Sequence, residues 1–154
     1  MVHNGMEAVI FIGIQGSGKS SFFRERFFDS HVRINLDMLR TRRREELLLA
    51  ACLQAGQPFV IDNTNTVPAD RARYVEPALA AGFRTVAYFF EASLREALQR
   101  NNLRTSKQKV PAPAVVAAFK KLVPPTADEG LDEIYTVKLT AEHGFVVARN
   151  SPKD

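Results

Sequence analysis

Cysteine is nearly missing from this sequence: Cys52 is the only one in 154 residues. No internal disulfide can form, and a reducing compartment is the default expectation. The first five residues lack the basic start and apolar stretch of a secretory leader. No apolar run approaches the roughly 20 residues that a membrane-spanning helix needs. A soluble, cytoplasmic chain is therefore expected. Internal repeats, low-complexity tracts and linker-like segments are also absent, so residues 1–154 read as a single domain. The histidines, His3, His31 and His143, share no metal-ligand spacing and receive no role. Cys52 lies in an apolar stretch, residues 47–53, and reads as core. Acidic residues are outnumbered, 17 against 21 Lys and Arg, for a net charge of +4. That excess favours an anionic partner such as nucleotide or nucleic acid, but says nothing about fold.

What the chain does contain is an alternation of short apolar runs and helix-forming stretches. Residues 8–12 are continuously apolar and end at Gly13, as a buried parallel strand would. A helix is predicted over 19–28, with Phe23 and Phe27 facing inward, then a strand over 32–35. Residues 37–55 favour one helix, stopped by Gly56. A strand over 59–61 ends in Asp62, and Pro68 opens a helix that places Ala72, Val75 and Leu79 on one face before Gly82. Residues 83–90 form another strand. Ser93 and Glu96 match a capping box for a helix that buries Leu94, Ala97 and Leu98. Residues 107–113 predict a mobile loop, and 113–121 a helix closed by Pro124 and Pro125. Tyr135, Val137 and Leu139 alternate, and 144–148 is apolar again, so a terminal strand pair is expected. Together these imply an α/β fold: a P-loop NTPase-type parallel sheet with helices on both faces, a helical lid and a C-terminal strand pair.

Chemistry concentrates in Gly13-Ile14-Gln15-Gly16-Ser17-Gly18-Lys19-Ser20, which fits the phosphate-binding pattern G-x-x-x-x-G-K-[ST]. Glycines let successive N–H groups turn toward phosphate oxygens where a Cβ would intrude. Lys19 would meet the β- and γ-phosphates of ATP, and the Ser20 hydroxyl would meet Mg²⁺. The motif follows an apolar strand and opens a helix, which is the context that gives it meaning. Gly13, Gln15, Gly16, Ser17, Gly18, Lys19, Ser20 and Ser21 are thus the candidate nucleotide-binding residues, and the Lys19 ammonium is expected to face solvent until nucleotide arrives.

Asp62, at a strand end, is the candidate carboxylate for the same Mg²⁺; an aspartate that merely opens a turn is the alternative. Asp37 follows the second strand, where strand ends face the ligand crevice. It can serve either as a general base for an attacking hydroxyl or as a helix cap. Arg100 and Arg104 are spaced i, i+4 on one helix face before the polar loop and suit a lid that stabilises transferred charge, or else a solvated basic pair. Arg40 and Arg44, expected on one helix face one turn beyond Asp37, belong to a basic cluster with Arg42 and Arg43. That cluster suits a grip on acceptor phosphates, or a solvated helix face.

Residues 13–20, Ile34-Asn35-Leu36-Asp37, Ile61-Asp62-Asn63-Thr64-Asn65, Arg100-Asn101-Asn102 and Pro124-Pro125-Thr126 occur in this order. In that respect the chain resembles the polynucleotide 5′-hydroxyl kinases, the kinase modules of the phage end-healing enzyme and of mammalian polynucleotide kinase/phosphatase. The resemblance runs from about residue 9 to about residue 137. It implies that Asp37 is the base that deprotonates a 5′-hydroxyl of RNA or DNA and that Arg40 engages the acceptor phosphate. It further implies that Arg104, beside Arg100, is the lid arginine on ATP, and that Asp62 is the strand-end aspartate. Leu36 departs from the family's usual arginine before the base. No D-x-D-x-T segment occurs, so 3′-phosphate removal is not implied. Two other readings stand beside this one: the same fold acting on a small-molecule hydroxyl in a narrow, neutral pocket, and a nucleotide-dependent binding module or slow ATPase with no base opposite the γ-phosphate.

Overall fold

The computed structural model describes residues 5–105, 109–142 and 144–150. Six strands form one sheet: β1 (Glu7–Ile12), β2 (Val32–Ile34), β3 (Phe59–Asp62), β4 (Arg84–Phe90), β5 (Glu133–Leu139) and β6 (Phe145–Arg149), in the order β2-β3-β1-β4-β5-β6. The first five run parallel, and β6 closes antiparallel on β5. The helices are α1 (Lys19–Arg26), α2 (Leu36–Leu39), α3 (Arg42–Ala55), α4 (Pro68–Ala80), α5 (Leu94–Asn102) and α6 (Ala112–Lys121). The expected α/β fold and terminal strand pair are both present.

β1 shows why the sheet needs cover on both sides. Its side chains alternate faces, and residues 8–12 are all fully buried. Ala8, Ile10 and Ile12 pack with Leu49 and Cys52 of α3 and with Tyr74, Val75 and Ala78 of α4. Val9 and Phe11 pack on the other face against Phe22 and Phe23 of α1 and the following Phe27. A third, smaller cluster of Ile14, Ala97 and Val115 docks the α5–α6 pair onto the loop after β1.

Four expectations are corrected. The single helix over 37–55 is two, broken at Arg40, whose φ is 77°. Asn35 and Thr41 each cap a new start, accepting the Met38 and Arg44 amides at 2.9 and 3.2 Å; two such caps six residues apart outweigh helix propensity. Arg40 and Arg44 therefore share no helix face. Helix α4 buries Arg71, Tyr74, Val75 and Ala78, whereas Leu79 is exposed. The rotation follows from Arg71, whose fully buried guanidinium binds both Glu129 oxygens at 3.0 Å and the carbonyls of Asn65, Thr66 and Val123. Helix α5 ends at Asn102, so Arg104 lies beyond it instead of one turn above Arg100. Of the loop expected over 107–113, residues 107 and 108 lie outside the described residues, and the chain is already helical at Ala112. His3 and His143 also lie outside the described residues.

Candidate active site

The parallel strands deliver their C-terminal ends to one edge of the sheet, where such folds bind ligands. The glycine loop leaves β1, α2 leaves β2, Asp62 ends β3 and α5 follows β4. Close approach dictates the glycines. A Cβ on Gly16 (φ +81°) would lie 2.3 Å from the Ala97 carbonyl oxygen, and one on Gly13 would lie 2.7 Å from Ser17 Oγ.

Lys19 is half-buried and does not face solvent: its Nζ donates to the carbonyls of Gly13 at 2.8 Å and Ile14 at 2.9 Å. Burial lowers its pKa from 10.5 to about 8; Asp62 opposes the shift, Arg104 adds to it and Asp37 opposes it. Asp62, Arg104 and Asp37 are thus all within electrostatic reach of the Lys19 ammonium. Gln15 Oε1 and Ser17 Oγ are buried without a hydrogen-bond partner among the described residues. A hydroxyl can donate to a phosphate oxygen. The glycine cradle, the Ser17 hydroxyl and the Lys19 ammonium together fit a nucleotide phosphate.

Ser20 Oγ donates to Asp62 Oδ2 at 3.1 Å, so the expected hydroxyl–carboxylate pair is assembled. Two hard oxygen donors suit Mg²⁺, which commonly takes one or two protein ligands and completes its shell with phosphate and water. A residue that sequence reasoning missed joins this pair. Arg33 of β2 donates through Nε to Asp62 Oδ2 at 2.8 Å and through Nη2 to Ser20 Oγ at 3.1 Å. The available signal was an arginine in the middle of an otherwise apolar three-residue strand.

Asp37 is exposed at the start of α2 and makes no hydrogen bond or ion pair with the other described residues. Its helix is pinned from below. The Leu36 amide donates to Asn63 Oδ1 at 2.9 Å, and Asn63 Nδ2 donates to Glu45 Oε2 at 3.1 Å and to the Tyr74 hydroxyl at 3.2 Å. Glu45 is buried and is neutralised by Arg42 at 2.7 Å. Arg42 and Arg44 are thus committed within the chain, Arg44 through a bond to the Leu39 carbonyl at 3.1 Å. Arg40 and Arg43 have exposed side chains without such partners among the described residues. Arg100 donates to the Gly16 carbonyl at 3.2 Å and so sits against the phosphate loop.

Residues 9–124 match AAA_33, a family described as an AAA domain. The chain belongs to the AAA_33 family. AAA_33 is a P-loop kinase family, so nucleotide binding and kinase-type phosphoryl transfer come with membership. Among curated proteins, this AAA_33 chain is 32% identical over 138 residues to a protein of Acanthamoeba polyphaga mimivirus named as a candidate bifunctional polynucleotide phosphatase/kinase. The match covers 85% of the chain but only 33% of that relative's length. Among solved structures, it is similar to a gluconokinase from Sinorhizobium meliloti 1021 (TM-score 0.62, 18% identity, 92% of this chain and 89% of that one). It is also similar to Chaetomium thermophilum Kti12 in complex with ADP-AlF3 (TM-score 0.64, 12% identity, 88% and 92%). At these identities the structural likeness speaks to the fold. Among the described residues no helix is long and apolar enough to cross a membrane.

Proposed function

We propose that this chain transfers the γ-phosphoryl group of ATP to a 5′-hydroxyl of RNA or DNA. The observation that carries the reading is Asp37, a carboxylate that acts on the Lys19 ammonium, is spared from capping its helix and has no hydrogen bond of its own among the described residues. It is free to take a proton. In the proposed step the acceptor oxygen attacks the γ-phosphorus while Asp37 accepts the hydroxyl proton. The bond to the β–γ bridging oxygen breaks, and ADP leaves. Lys19 and the loop amides hold the phosphates, and Arg100 and Arg104 add positive charge where the transferred group carries its negative charge. Ser20 and Asp62 would hold Mg²⁺, which supplies further charge neutralisation at the phosphate oxygens.

A polynucleotide acceptor is supported by two features: the name carried by the mimivirus relative, and Arg40 and Arg43, shortly after Asp37 in sequence, whose exposed side chains have no hydrogen-bond or ion-pair partner among the described residues. Cytoplasmic operation is part of the same reading, since Cys52 is the lone cysteine and no internal disulfide can form. The test is a labelled γ-phosphate transfer assay with 5′-hydroxyl oligonucleotides of RNA and DNA, nucleosides and small sugars as acceptors. Label on the oligonucleotide 5′ end is the expected result. Label on a small hydroxyl alone would move the acceptor class, and release of phosphate without any labelled acceptor would indicate an ATPase.

A further inference from the structure

Arg33 sits between Val32 and Ile34 in β2, and strand alternation turns it away from the buried Ile34. Its side chain instead completes a triangle. Nε lies 2.8 Å from Asp62 Oδ2, Nη2 lies 3.1 Å from Ser20 Oγ, and Ser20 Oγ lies 3.1 Å from Asp62 Oδ2. The Asp62 side chain is 2% exposed and the Arg33 side chain 29%. One fixed cation therefore engages both side chains that would otherwise be offered to Mg²⁺.

We propose that Arg33 is a built-in counter-cation that competes with Mg²⁺ for Ser20 and Asp62 and so weakens the dependence of nucleotide binding on the metal. The inference rests on the nucleotide-binding reading of the loop and is indifferent to the acceptor. A carboxylate as buried as Asp62 needs a cation to offset its lost hydration, and a guanidinium, which cannot be deprotonated, meets that need at every working pH. The fork also spans two acceptors at once, which a lysine ammonium on a flexible stem does not do in fixed geometry. Metal at the same oxygens would set two positive charges side by side, and their repulsion requires the guanidinium to withdraw. It starts from a partly exposed position, with Nη1 4.0 Å from Sδ of the exposed Met38. When nucleotide enters without metal, Arg33 stays and serves as the countercharge.

The test is ADP binding by calorimetry, with excess Mg²⁺ and with EDTA, in the wild type, Arg33→Gln and Arg33→Lys, without acceptor. Removing the metal should weaken ADP binding by less than about 10-fold in the wild type and by at least about 10-fold more in Arg33→Gln, with Arg33→Lys between them. With Mg²⁺ present, Arg33→Gln should bind ADP as tightly as the wild type or more tightly. Should Arg33→Gln fail to fold, Arg33→Lys keeps the charge and carries the comparison. Equal metal dependence in all three proteins, with ADP binding intact, overturns the role of Arg33 alone. No ADP binding to the wild type overturns the nucleotide site along with it.

Discussion

Asn35, and not Asp37, caps the helix on which Asp37 sits. The Asn35 Oδ1 accepts the Met38 amide at 2.9 Å, and its Nδ2 donates to the Asp62 carbonyl, joining β2 and β3 at their ends. Of the two roles the sequence allowed Asp37, the cap is taken by its neighbour. Asp37→Asn should then leave the melting temperature and ADP affinity unchanged while kcat falls by about 10²–10⁴, the usual share of a general base. Thermal melting, ADP titration and kcat at saturating 5′-hydroxyl oligonucleotide check this. Transfer within a few-fold of wild type would rule Asp37 out as the base.

Lys19 sets a pH signature. Its folded pKa is about 8 against an ordinary 10.5, so between those values the unfolded chain binds more protons and stability must rise with pH. The burial penalty is fully present below pH 8 and gone above 10.5. Urea unfolding from pH 7.5 to 9.5 should show wild type gaining stability relative to Lys19→Met. Phosphates restore the lost proton, so ADP binding near pH 8 should take up a proton. Calorimetry in buffers of different ionisation heat measures that uptake, and Lys19→Met should show none. Its phosphoryl transfer should fall by about 10²-fold or more.

Arg40 occupies φ 77°, where a side chain with a Cβ is strained. Arg40→Gly should therefore leave stability unchanged or raise it by about 1 kcal/mol. If Arg40 grips acceptor phosphate, both Arg40→Gly and Arg40→Ala should raise the acceptor KM more than that of ATP and flatten its salt dependence. A wild-type acceptor KM insensitive to salt would point to a small acceptor.

Arg71 is fully buried and tied to Glu129. Arg71→Ala strands that carboxylate and three carbonyls, and should cost about 3–5 kcal/mol. Urea unfolding measures the loss. A change under about 1 kcal/mol would mean that water replaces the guanidinium.

The phosphate loop, β1 and Asp62 were legible because their signals are local: an apolar run, then glycines at fixed spacing, then a carboxylate at a strand end. Asp37 was legible as a position, but that Asn35 caps α2 in its place was not. Arg33 was not legible, because its partner Asp62 is 29 residues away and meets it only once β2 pairs with β3. Arg71 was hidden for the same reason, with Glu129 58 residues distant. The broken helix at Arg40 was missed because propensity over 37–55 is uniform, whereas the break comes from two competing caps.

Ala97 and Gly16 leave no room for a methyl group between them, and Arg100 grips the same glycine's carbonyl one turn further along α5. The loop and the helix are thus one mechanical part. Arg100 is thereby tied to the phosphate loop and keeps its place relative to it. Arg104 stands past the end of that part, so any hinge that swings cationic charge over the γ-phosphate must pivot after Asn102. A pivot there would displace Arg104 and leave Arg100 where it is.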